Sequence, residues 1–171
     1  MSPEYAIGAG TPVTTLSEAD RLLWELAAGL ALPEDVFGCT HLVHGERPHI
    51  ALSFAADSEA ALRAVRERLT AEGYEVRPGA PDAAGRAVLY PGARELTGTL
   101  TVADLLSRSA IDRVTVLGAP GAPPPHQRIS TRGHVRPQWR DGELVLAAMP
   151  AAGGTLVPFE VPDPTPCCAD H

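Results

Sequence analysis

Apolar positions along this chain recur with two periods. In "LSEADRLLWELAAGLAL", residues 16–32, Leu22, Leu23, Leu26 and Leu30 fall at helical spacing. Ser17 is placed to cap this helix, with Asp20 as the acid of a capping box and Leu16 as a hydrophobic staple. Pro33 stops it. A second helix, "DSEAALRAVRERLTAEG", buries Ala61, Leu62, Val65 and Leu69, starts at Asp57 or Ser58 and closes at Gly73. "TVADLLSRSA" predicts a third, short helix capped near Thr101. The strands read from "HIALSFA" (49–55), "YEVR", "RAVLY" (86–90) and "DRVTVLG".

Residues 49–118 therefore run β-α-β-β-α-β, the element order of a ferredoxin-like unit. Residues 1–16, rich in Gly, Thr and Pro, are expected to be irregular. "GAPGAPPPHQ" is a loop, because consecutive prolines cannot join a ladder. Asp141-Gly142 between "HVRPQW" and "ELVLAAM" is a two-residue hairpin signal. With "TLVPFEV" after "PAAGG", it makes the C-terminal third an antiparallel β-meander. The expected architecture is one α+β domain over residues 1–171, with an N-terminal helix, a ferredoxin-like core, the meander and an extended tail at 162–171.

Composition narrows the chemistry. All 14 basic residues are arginine and there is no asparagine. A lysine Schiff base, a phosphate-loop lysine and an N-glycosylation site are therefore excluded. The net charge of −7 argues against nucleic acid as a partner. No apolar run approaches the roughly 18 residues of a membrane span, and Glu4 stands where a secretory signal needs basic residues. A soluble, cytoplasmic protein is expected, in which three cysteines serve as thiols or metal ligands rather than as a disulfide frame.

Those cysteines cluster with histidines in two places. "CTHLVH" supplies Cys39, His41 and His44, and the tail supplies Cys167, Cys168 and His171. Sulfur and imidazole nitrogen are the donors zinc prefers, and four make a structural site. Copper(I) and iron also suit soft sulfur donors. Zinc joining the tail to the 39–44 stretch is the expectation, weighed against Cys39 as a small buried hydrophobe. On a strand Cys39 and His41 share a face; on a helix His41 and His44 do.

A second candidate is arginine-rich. From Arg113 to Arg140 the chain has no acidic residue. Arg128, Arg132, His134 and Arg136 are the candidates to bind an anionic small molecule, since guanidinium groups hold carboxylates and phosphates bidentately. The alternative is an arginine-rich surface paired with the acidic remainder. Three functions remain: a metal-binding or ligand-binding accessory protein, a metal-dependent enzyme acting on an anionic small molecule, or an interaction module forming homo-oligomers through a sheet edge.

Overall fold

The structure is a computed structural model and describes residues 3–162. It is a mixed α+β fold with three α-helices and one sheet of eleven strands among the described residues. No helix among them is long and apolar enough to cross a membrane.

The chain begins with a strand where an irregular segment was expected. β1 (Tyr5–Gly10) lies between β3 (His49–Ala56) and β4 (Val76–Pro78), antiparallel to both. Its glycines hid it from a pattern search, and packing requires one of them. A Cβ on Gly8 would sit 2.9 Å from the Gly79 carbonyl oxygen and 3.2 Å from Pro81 Cδ. Ile7 and Ala9 point the other way, into the core.

α1 (Leu16–Gly29) starts earlier than its sequence suggested. Thr15, in extended conformation, accepts the Glu18 N–H at its hydroxyl, so Ser17 and Leu16 lie inside the helix. Ala19, Leu23, Leu26 and Ala27 form its buried stripe. α2 (Glu59–Ala71) buries Leu62, Val65 and Leu69, as its spacing predicts. α3 (Val102–Arg108) is capped by the Thr101 hydroxyl, which accepts the Asp104 N–H at 3.1 Å.

β2 (Phe37–Val43) completes the first half, antiparallel to β3. From β1 to β4 the elements run β-α-β-β-α-β in spatial order β4-β1-β3-β2. This corrects the expected grouping of residues 49–118. β5 (Arg86–Leu89) pairs with β2 rather than with β4, and β7 (Arg113–Val116) pairs with β10 (Glu143–Pro150). The strands of the 49–118 window therefore serve different parts of a larger sheet, which also takes in β6 (Thr99–Thr101) and β8 (Arg128–Ser130).

β9 (Gln138–Arg140) bridges the halves by pairing with both β5 and β10. The β9–β10 hairpin forms at Asp141-Gly142, with φ of 51° and 79°. Two left-handed residues in a two-residue loop are the combination that matches strand twist. β11 (Leu156–Pro158) closes the meander against β10. The C-terminal third thus extends the first sheet.

Two apolar clusters form on this frame. One holds Leu23, Phe54 and Val65 with the faces of α1 and α2; the other holds Leu105, Ile129, Leu144 and Leu146. β5 belongs to both: Val88 and Leu89 enter the first, and Ala87 enters the second with Tyr90 just beyond the strand.

Candidate functional site

Where the two clusters meet, charged side chains converge. Arg86 opens β5 and is only 8% exposed. Its Nη1 and Nη2 donate to the two carboxylate oxygens of Asp20 on α1, at 2.7 and 3.1 Å. Its Nε and Nη2 donate to the two oxygens of Glu160, at 2.6 and 3.0 Å. Thr40 on β2 accepts a further Nη1 bond at 3.3 Å. Arg136 Nε donates to Asp20 Oδ2 at 3.0 Å, and His134 Nε2 lies 2.8 Å from Glu160 Oε2.

Burial pushes the Asp20 carboxyl up, but Arg86 and Arg136 outweigh it and hold the group below its ordinary value. Burial likewise favours loss of the Arg86 proton, and Asp20 and Glu160 reverse the balance. A carboxylate with a depressed folded pKa stabilises fully above its unfolded value, about 3.9, and loses that contribution as pH falls through the folded value. Urea unfolding is expected to show stability falling below about pH 4, with a shallower fall for Asp20→Asn. An unchanged acid limb in that variant would show the pairing to be neutral in stability.

This cluster sorts the expected anion-binding residues. His134 and Arg136 converge, while Arg128 and Arg132 are exposed and stand apart, with no ion-pair partner among the described residues. The chain's own carboxylates meet the two inner cations, as in the alternative reading of an arginine-rich stretch paired with the acidic remainder. The sequence reading missed Arg86, Asp20 and Glu160. Asp20 had a signal: it falls on the apolar stripe with Leu23 and Ala27, where an acid needs a partner.

The metal candidates divide differently. Cys39 and His41 share a face of β2, and His44 lies exposed one residue past its end. Burial pushes the Cys39 thiol up to about 12, against opposing hydrogen bonds from Trp139 and Ser53. Both His41 nitrogens are engaged: Nδ1 lies 2.9 Å from Asp82 Oδ1, and Nε2 lies 2.7 Å from Ser53 Oγ. Among the described residues no three His, Cys, Asp or Glu side chains are grouped to hold a metal. Cys167, Cys168 and His171, and the tail carrying them, lie outside the described residues.

Asp82–His41–Ser53 has the order of a nucleophilic relay. Its setting is that of a structural pin. Ser53 is buried mid-strand in β3, whose backbone pairs with β1 on one side and β2 on the other. It lines neither the groove beside α1 nor the cleft between α2 and β1. The relay fastens the segment carrying Asp82 to the sheet, and Asp82 also accepts the Ala84 N–H at 2.8 Å. His41→Ala is expected to cost about 1–3 kcal/mol of unfolding free energy, the penalty of leaving buried polar groups unpaired. Urea titration measures it, and a loss within error would remove the pin.

A groove opens beside the ionic cluster. Trp24, Ala27, Leu32, Pro33, Val36, Leu89, Tyr90 and Ala93 form its walls, with Glu34, Arg94 and Glu95 at the exposed rim. Its cavity volume is about 90 Å³, rising to about 570 Å³ when all the space open to solvent is counted. The Arg94 guanidinium stands 5.4 Å from the centre of the Trp24 ring. The Tyr90 hydroxyl donates to the Val135 carbonyl at 2.9 Å, and burial raises its pKa. Leu89 follows Arg86 on β5, and Asp20 lies one helical turn before Trp24 on α1, so groove and cluster share two elements. A second cleft, between α2 and β1, is walled by Leu62, Ile7 and Pro78 with Arg63 and Arg66, and has Tyr5 as its only aromatic residue. Comparison of the chain with protein-family models, with curated proteins and with solved structures finds no match.

Proposed function

We infer that this chain is a small-molecule-binding protein whose first half, residues 5–78, is a ferredoxin-like unit. The β4-β1-β3-β2 antiparallel order with two crossing helices supports the fold reading. The groove between α1 and the end of β5 carries the functional one. It is concave, walled by apolar and aromatic side chains, and has a few charged groups confined to its rim, the usual composition of a small-molecule site.

The lining favours a class of ligand. Two rim carboxylates, Glu34 and Glu95, outnumber one guanidinium, Arg94, which already leans on Trp24. An apolar body carrying a protonated amine suits that balance better than an anionic molecule does. The amine would take the place of Arg94 on the indole face as a cation–π partner.

Trp24 provides the test. Titration at neutral pH with arylalkyl amines, which are protonated there, and matching arylalkyl carboxylic acids is expected to change Trp24 emission for amines, measured in a Trp139→Phe background. Ala93→Phe, which fills the groove, is expected to abolish the change while leaving the fold intact by circular dichroism. Equal responses to amines and acids would sink the class. Responses that survive Ala93→Phe would place binding elsewhere.

A further inference from the structure

Glu160 sits in the ionic cluster the way a bound ligand sits in a receptor. Arg86 grips its carboxylate side-on through Nε and Nη2, at 2.6 and 3.0 Å, and His134 Nε2 meets Oε2 at 2.8 Å. This two-point fit is the geometry in which guanidinium groups hold carboxylates and phosphates.

The receptor side is assembled without residue 160. Asp20 and Thr40 hold the guanidinium of Arg86 from its other side, and Asp20 is shared with Arg136. Two arginines therefore divide one carboxylate, and the half-buried His134 stands by. The place filled by Glu160 is one that needs a negative charge. Asp20 neutralises only one of the two guanidinium groups it touches, and with Glu160 in place Arg86 is 8% exposed.

The occupant is held less firmly than the receptor. Glu160 lies two residues past β11, with its side chain 31% exposed. Phe159 before it is 56% exposed, and Pro162 is exposed as well. The Phe159 N–H bond to the Ala147 carbonyl, at 2.9 Å, ties the segment to β10.

We propose that Arg86 and His134 form a carboxylate-binding site that Glu160 occupies in cis, and that the carboxylate of a small molecule takes when residues 159–162 lift away. The site is separate from the groove, and its test does not depend on what the groove binds.

Two arms test it in the full-length chain. In the first, Glu160→Ala is melted with acetate, phosphate or chloride at equal ionic strength. Acetate is expected to raise the melting temperature saturably, with an apparent affinity about tenfold or more above that for chloride. Adding Arg86→Gln is expected to abolish the rise. If Glu160→Ala is unfolded in chloride, recovery of its circular dichroism spectrum by acetate is the readout. Equal effects of acetate and chloride overturn the proposal, and a stronger effect of phosphate overturns the choice of carboxylate.

In the second arm, wild-type protein is cleaved with chymotrypsin and the Phe159–Glu160 cut is followed by mass. Acetate is expected to speed that cut about threefold or more relative to chloride, by shifting the segment toward its released form. An unchanged rate means that external carboxylate does not displace Glu160, and overturns the exchange even if the first arm succeeds.

Discussion

Arg86→Met is expected to lower the unfolding free energy by about 3–5 kcal/mol, the range for breaking a buried ion pair from one side. Methionine matches the stem of arginine in bulk, so the loss comes from charge rather than from a cavity. It leaves Asp20 with Arg136 alone and Glu160 with His134 alone. Arg86→Lys is expected to recover only part of the loss. One ammonium cannot serve Asp20 and Glu160 bidentately, as the four short bonds of Arg86 do. Urea unfolding at neutral pH gives both numbers. A loss under about 1 kcal/mol for Arg86→Met would place the cluster with exposed pairs and remove its role in joining the two halves.

Gly92→Ala is expected to cost about 3 kcal/mol, through backbone strain and overpacking together. Gly92 has φ of 81°, and a Cβ there would lie 1.9 Å from the Arg108 carbonyl oxygen and 2.7 Å from Ser109 Cα. Both are backbone atoms, so no side chain can swing aside. The contact is fixed from the other direction too, since the Ala110 N–H donates to the Pro91 carbonyl at 2.9 Å. Gly98→Ala is the control. Its φ is 66° with nothing within 4 Å of the added carbon, so it isolates the strain. It is expected to cost about 1 kcal/mol. Similar losses in the two variants would mean that the 90–95 turn and the end of α3 separate readily. Because Gly92 and Ala93 line the groove, the same variant is expected to weaken ligand binding.

The helices were legible because each carries an apolar stripe at helical spacing, and the β9–β10 hairpin because Asp-Gly is a strong two-residue signal. What failed in the fold was grouping. The order β-α-β-β-α-β occurs from β1 to β4, but the "YAIGAG" of β1 has too few large apolar side chains to announce a strand. Shifting the unit to 49–118 was the consequence. The cap of α1 was a choice between overlapping signals. "TLSE" carries a Thr-x-x-Glu pattern as good as Ser17 with Asp20, and the chain uses Thr15. Asp20 was free for another task because its place on the helix is buried.

The site was legible only in part. His134 and Arg136 were picked out because they lie in an acid-free stretch, yet their partners come from 26 and 116 residues away. Local composition cannot show such pairings. Cys39 and His41 were singled out as metal donors by residue type. Their behaviour is set by depth, which puts the thiol out of reach of ionisation near neutral pH and engages both imidazole nitrogens internally. The groove had no signature at all, since its walls come from α1, the 32–36 segment and the 89–95 segment.

The cluster around Arg86 is also completed in stages during synthesis. Asp20 leaves the ribosome first, Arg86 follows 66 residues later, and Arg136 comes 116 residues after Asp20. Glu160 trails Arg86 by a further 74. While the first half emerges, Asp20 on the inner face of α1 lacks both of its arginine partners. The cluster becomes electrically complete only when Glu160, two residues past β11, has been made.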